Sequence, residues 1–315
     1  MSRISSGLRM AAAAVLLPVM AATPAFGWGS DGHRMINRLA GKMLPSDVPA
    51  FLRSTEGLNA LEYFGPEPDR WRSPAEPELN AAQAPEHFID LEWADLVGPL
   101  PRRRYDFIRA LAAAQAAHPD IPLTPEKVGL QPYVTDEVYE RLKSAMREYR
   151  GLLVEGKDTK PVQCEIVFLA GWLGHYVGDG SMPLHTSIQY NGWTGPNPNG
   201  YTTEHHIHAL FESVYVAANV KPSDIAGLVP VEPTVLKDVF EDYVTYLRHS
   251  NSLVEKTYQL DKTGAFTGAG TPEGKAFVDE RLAAGATELR DMIYTAWVRS
   301  ADPVPDYRSE APAKK

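Results

Sequence analysis

QCEIVFLAGWLGHYVGDGSMPLH, residues 163–185, is the stretch on which the fold turns. From Gln163 to Gly178 the residues are apolar on nearly every side, as in a helix at the centre of a domain. Into that run the chain inserts His175 and Asp179, four positions apart and so on one helix face. Pro183 then breaks the helix, and the chain returns with His185. Two histidines and a carboxylate at one helix end form a metal-ligand arrangement. The plainer alternative is a capped helix with an incidental histidine. It would leave charge unpaired among apolar neighbours, which is costly.

The rest of the chain reads as helices around this one. Met35, Ile36, Leu39, Ala40 and Met43 recur at helical spacing until Pro45. Helical patterns return over 104–117, 135–154, 202–219, 233–259 and 273–300. Residues 55–85, rich in Pro, Glu and Gly, are expected to form a long structured loop. A second loop is expected over 186–200, which carries Asn191-Gly192, Gly195-Pro196 and Asn197-Pro198-Asn199-Gly200. Strand-type alternation never exceeds a few residues, and no internal repeat is visible. The expected fold class is all-α, a single multi-helix domain over 28–302 followed by a polar tail over 303–315.

The first 27 residues read differently. Arg3 and Arg9 precede a 13-residue apolar run, Met10 to Ala22, too short to span a bilayer. Ala25-Phe26-Gly27 places small residues where a signal peptidase reads, and Pro18 and Pro24 argue against a buried helix. Residues 1–27 are therefore expected to be a secretory signal peptide, leaving Trp28 as the mature N-terminus of a soluble protein, secreted or periplasmic. Cleavage leaves 288 of 315 residues and, by removing two arginines and no acid, shifts the charge from −9 to −11. Such a surface argues against a basic nucleic-acid clamp, although bound cations reverse the sign locally. The single cysteine, Cys164, excludes an internal disulfide.

Three further stretches carry candidate ligands. EHHIHALFE (204–212) repeats the i, i+4 geometry with His208 and Glu212; His205, one turn earlier, competes as a ligand, and His206 is expected in solvent. PEHFIDLE (85–92) supplies His87 and Asp90. PDRWR (68–72) supplies Asp69, Arg70 and Arg72, with a surface ion pair as the plainer reading. A free α-amino group on Trp28 has an ordinary pKa of about 8, within reach of metal binding. Its own carbonyl oxygen closes a five-membered chelate, and His33 follows as another ligand.

These residues, in this order, resemble the zinc-dependent phospholipase C and S1/P1 nuclease superfamily, most closely its bacterial S1/P1-type nucleases. The resemblance runs from Trp28 to about residue 215. It implies an all-α fold of the phospholipase C/P1 nuclease type, secretion, and three zinc ions. Asp69, His87, His175 and Asp179 would hold one ion; Trp28, His33 and a bridging Asp179 the second; His185, His208 and Glu212 the third. Asp90 falls where the family orients its attacking water, Arg72 where its nucleases carry a phosphate-binding cation, and Phe88 where a base or lipid headgroup could pack. The implied activity is phosphodiester hydrolysis by a zinc-bridging hydroxide. Its expected substrate is single-stranded nucleic acid or a nucleotide, with 3′-nucleotidase activity possible, and the protein is expected to be monomeric.

Two departures favour phospholipid headgroups as the alternative substrate: Glu212 stands where the nucleases use aspartate, and Ser213 where they use asparagine. The short Trp28–His33 and long His185–His208 intervals look like the nucleases. Residues 96–160 are longer than the family pattern, an insertion carrying Arg102-Arg103-Arg104, read as a solvated loop or a phosphate contact. A catalytically inactive binding protein is the reading from another class, opposed by the intact ligand set. A di-iron bundle would need paired Glu-x-x-His helices, and the nearest candidate, Glu204-His205-Ile207-His208, is a single cluster with no second copy.

Overall fold

The computed structural model describes residues 28–304. The expected signal peptide, residues 1–27, and nearly all of the expected polar tail lie outside the described residues. Eight helices of nine residues or more form the body: α1 (Gly29–Lys42), α2 (Thr55–Phe64), α3 (Arg104–Ala114), α4 (Gln131–Val154), α5 (Lys160–Ser181), α6 (Val239–Asn251), α7 (Val254–Lys262) and α8 (Pro272–Arg299). Among the described residues there are no strands, only two isolated bridges. The expected all-α fold is what forms.

α5 is the axis. Pro161 sits in its first turn, where a missing N–H costs nothing, and Met182 turns extended just before Pro183. Between them nearly every residue from Ile166 onward is buried, against α4, α8, α2, α1 and α6. Glycines allow that crowding. A β-carbon on Gly174 would stand 2.1 Å from Asn37 Oδ1, and one on Gly178 would stand 2.9 Å from His33 Nδ1. Asn37 uses the approach to donate to the Leu61 carbonyl at 3.0 Å and the Gly171 carbonyl at 2.8 Å, tying α1, α2 and α5 together. Without these acceptors the buried Asn37 amide would leave its N–H groups unpaired, which is costly.

Several expectations are corrected. α1 starts at Gly29, earlier than the apolar spacing indicates, because Trp28 is buried completely and anchors the first turn. Residues 55–85 are not a loop: they form α2 and two short helices, Glu67–Arg70 and Pro77–Gln83, each with proline in its first turn. The 233–259 pattern is two helices, since Asp238 caps α6 by accepting the Glu241 N–H, and the chain turns at Ser252-Leu253. The 202–219 helix begins only at Ile207 and passes through a π-helical turn at Leu210–Val214.

The 96–160 insertion forms α3 and α4 and lies behind the His87 segment. Leu130 N–H donates to Pro85 O at 2.6 Å, Asp90 N–H to Val128 O at 2.8 Å, and Gln131 N–H to Phe88 O at 3.2 Å. On the other side, Ile89 N–H donates to His185 O at 2.9 Å and Leu91 N–H to Thr186 O at 3.2 Å. Residues 85–91 are thus clamped from both edges. The Arg102–Arg104 run serves this packing: Arg102 pairs with Asp238 and Arg104 with Glu86 and Glu137.

The clamp requires Gly129, whose φ of +90° is strained for any other residue and whose β-carbon would stand 2.1 Å from Phe88 O. Gly129→Ala should destabilise the protein by about 2–3 kcal/mol, read as a lower urea midpoint at unchanged slope. A midpoint within error of the wild type contradicts this reading.

Candidate metal centre

Asp179 sits in the last turn of α5 and is completely buried. Its two oxygens face different ways. Oδ2 lies 3.2 Å from His87 Nδ1 and 3.3 Å from His175 Nε2, while Oδ1 lies 3.3 Å from His33 Nε2. Asp69 Oδ1 completes the first group, 3.8 Å from both His87 Nδ1 and His175 Nε2, which are themselves 3.0 Å apart. Tetrahedral ligands at zinc-like bond lengths have donor atoms about 3.3–3.6 Å apart, and this group sits around that spacing. Another group of three donor atoms comes from His185, His208 and Glu212, with Glu212 Oε2 at 3.4 Å and 3.2 Å from the two Nε2 atoms.

Main-chain carbonyls set the ring orientations. His175 Nδ1 faces Gly65 O at 2.9 Å, His185 Nδ1 faces His87 O at 2.7 Å, and His208 Nδ1 faces Tyr190 O at 2.9 Å. Each contact suits Nδ1–H as donor and leaves Nε2 as the lone-pair nitrogen aimed at its group, the support that metal-binding histidines use. The π-helical turn carries Glu212 while keeping His208 one turn away.

The donor set fits a cation better than it fits itself. Among the described residues, both Asp69 oxygens, both Glu212 oxygens, Asp179 Oδ1, His185 Nε2 and both His33 nitrogens are buried with no hydrogen-bond partner. Such orphans are rare in native interiors unless an ion or water satisfies them. Charge is frustrated in the same way. Burial and the neighbouring Asp179 push Asp69 well above the usual carboxylate range. Asp179 is held well below that range: burial opposes ionisation, but His175 and His185 outweigh it. Burial pulls His87 down to about 4, and burial and His33 pull His175 well below its ordinary value. Burial would also lower His185, but Asp179 and Glu212 raise it to about 9.

The other expected residues divide. Trp28 is buried, with φ +30° and an indole N–H shared between Gly178 O and Ser181 Oγ, both at 2.7 Å. Its carbonyl accepts the Gly32 N–H at 3.1 Å. Arg72 acts by charge on Asp69 and His87, whereas Arg70 pairs at the surface with Glu67. Asp90 is buried, and burial together with Glu92 pushes it up to about 8 against the opposing charge of His185. Phe88 is half-buried and outside the hydrophobic core. His205 is corrected as a ligand candidate: it is exposed and precedes the helix that carries His208. His206 is exposed, as expected.

The supporting groups are what the sequence reading missed. Gly65, Gln131 and Tyr190 act through main-chain carbonyls or on them, and such contacts leave no residue-type signature.

No protein-family model matches the chain, and no curated protein matches it. Among solved structures it is similar to the alpha-toxin of Clostridium perfringens avian strain SWCP, with a TM-score of 0.37 and 14% identity over 89% of this chain and 65% of the toxin chain. It is also similar to the alpha-toxin of Clostridium absonum, with a TM-score of 0.39 and 13% identity over 88% of this chain and 67% of that one. The chain therefore spans about two thirds of the length of the solved structures it matches.

A pH test follows from His185. Its proton is held to about 9 in the folded metal-free chain against an ordinary 6.5. A raised value gives stabilisation that is complete below 6.5 and is lost as pH rises through 9. In metal-free protein the stability difference between wild type and His185→Asn should therefore shrink from pH 6 to pH 9, measured by urea unfolding. A constant difference across that window contradicts the assignment.

Proposed function

We propose that the protein is an exported, zinc-dependent phosphoric diester hydrolase. The observation that carries this reading is the division of Asp179, with one oxygen toward His33 and the other toward His87 and His175. A carboxylate so placed serves two adjacent cations. Asp69, His87, His175 and Asp179 would hold one zinc; His33, Asp179 and the Trp28 amino and carbonyl groups of the processed chain a second; His185, His208 and Glu212 a third. Zinc bound there would supply Lewis acidity and water of lowered pKa at neutral pH.

The chain's own groups supply the rest. Arg72, with its buried Nε lacking a partner, binds a non-bridging phosphate oxygen and offsets charge that grows there. Asp90 takes a proton from the attacking water at its carboxylate. Burial gives that carboxylate high proton affinity, and bound cations would keep it ionised beforehand. Phe88 and Tyr190 offer aromatic surface to the organic part of the substrate: Tyr190 is 53% exposed, and its ring lies 6.2 Å from that of His208.

On substrate, phospholipid headgroups are the better supported reading. Glu212 occupies the last position of the third group, the residue type of the phospholipase branch. The arginine run that could have followed a nucleic-acid strand is largely engaged with Asp238, Glu86 and Glu137. The nuclease reading keeps its two interval lengths.

Processed protein should release phosphorylated headgroup from phosphatidylcholine vesicles, and a zinc chelator should stop it. Degradation of single-stranded DNA without headgroup release would reverse the substrate choice, and inactivity of zinc-loaded protein on both would remove the hydrolase. Asp179→Asn should lower turnover by at least about 10²-fold and lose at least one zinc by metal analysis; full zinc with normal turnover would reject the bridge. One extra residue ahead of Trp28 should cost the second ion.

A further inference from the structure

Gln131 belongs to none of the ligand groups, yet it is completely buried in the first turn of α4, just behind them. Its side-chain Nε2 donates to His87 O at 3.3 Å and to Tyr176 O at 3.2 Å. Those two carbonyls end the peptide units of a first-group ligand and of the residue after another, His175. The His87 carbonyl also accepts His185 Nδ1 at 2.7 Å. His87 therefore offers its ring to the first group and its oxygen to a histidine of another group. Gln131 approaches that oxygen from a third element, and its own main-chain N–H holds the next carbonyl, Phe88 O, at 3.2 Å.

From this geometry we propose that Gln131 is a positioning residue that aligns two metal groups at once through the carbonyl oxygen of His87. The proposal rests on the metal reading above. Gln131 does not touch the ions. It fixes the peptide plane from which the His87 ring projects and against which His185 is oriented. Displacing that plane moves one ligand in each group, so the two losses should come together.

The hydrogen-bond inventory separates this role from a purely structural one. If the amide is removed, His87 O keeps His185 as donor, and Tyr176 O keeps the Tyr243 hydroxyl at 2.9 Å. No buried carbonyl is orphaned. Gln131 Oε1 is already buried with no partner among the described residues. Replacing the side chain by an apolar one of similar shape removes an unsatisfied acceptor, which is neutral or favourable for folding. A structural glutamine would cost stability when replaced, whereas a positioning glutamine would cost metal affinity and leave stability unchanged.

The test compares wild type with Gln131→Met in the processed protein, using zinc alone as the probe. Zinc content is measured over a series of chelator-buffered free-zinc levels, and the thermal midpoint of the metal-free protein is measured separately. Thr135→Val serves as control, since Thr135 lends its hydroxyl to the Gln131 main-chain carbonyl at 2.8 Å, away from the clusters. Gln131→Met should need free zinc about 10- to 100-fold higher to keep two of its ions, with a metal-free midpoint no lower than wild type. Thr135→Val should retain zinc like the wild type. Wild-type zinc retention in Gln131→Met overturns the proposal, and so does zinc loss accompanied by a lowered metal-free midpoint. If Gln131→Met does not fold, Gln131→Asn, which draws the amide back by one methylene, is measured against the same criteria. Zinc-free wild type would remove the metal reading itself and the proposal with it, an outcome distinct from loss in the variant alone.

Discussion

A carboxylate cannot stay ionised in a protein interior without compensation, and Asp179 has no access to water. Imidazoles from three elements gather on it: His33 from α1, His87 from the clamped segment, and His175 from its own helix. Those rings are themselves buried, so they resist taking up the protons that would balance the charge. Two of them are pulled well down, and Asp69 is driven toward its neutral form instead. The surroundings thus favour the charged form of Asp179 and disfavour that of Asp69, while oxygens of both and nitrogens of His33 have no hydrogen-bond partner among the described residues. A divalent cation would resolve these conflicts together, because it would favour ionised Asp69 beside ionised Asp179 and keep the imidazoles neutral.

That concentration of polar groups is possible only because the helix carrying it is otherwise apolar and lined with glycine. Gly174 and Gly178 bring α1 close enough for the His33 ring to stack on His175 at 4.0 Å between centroids. The hydrophobic surroundings exclude competing water, and the short helix-to-helix distance sets the donor spacing. Core and centre are one construction: the residue pattern that buries α5 also strengthens every electrostatic interaction at its end.

The sequence made much of this legible, for identifiable reasons. α5, α4 and α8 announce themselves because burial on one or more faces imposes a period on their residue types. His175 and Asp179, and His208 and Glu212, were readable as candidate ligands because each pair falls at i, i+4 spacing, with His185 just past the helix break; Asp69 and His87 carry no such spacing and were assigned as ligands only through the resemblance. The 55–85 region misled because its prolines occupy first turns of short helices, where proline is welcome, and a count of prolines does not reveal position. The π-helical turn under Glu212 has no sequence signature, since i, i+4 residues suit α and π geometry alike. His205 looked equivalent to a ligand only on the assumption that its helix began at 202. The clamp around His87 was invisible because it consists of main-chain hydrogen bonds between segments about 40 residues apart on one edge and about 95 on the other.

The clamp bears on how the centre and the fold depend on one another. Three of the candidate ligand histidines take their orientation from carbonyls of Gly65, His87 and Tyr190, and all three carbonyls lie outside the long helices. A helix of this length holds its shape through its own hydrogen bonds. A loop carbonyl has no such support, and its direction is set by whatever pulls on it. A metal on the Nε2 side would fix each ring, and each ring so held would steady its carbonyl through Nδ1. Binding energy would then spread beyond α5 into the segments that supply those carbonyls, and loss of metal would loosen the exposed loop at Tyr190 before the clamped 85–91 segment or α5. The direction of dependence runs both ways: a loop held by a second donor, as His87 is by Gln131, presents its ring before any metal arrives. Such a centre would be assembled partly by the chain and partly by the ion. On the zinc reading, the share supplied by the chain would set how much free zinc the centre needs.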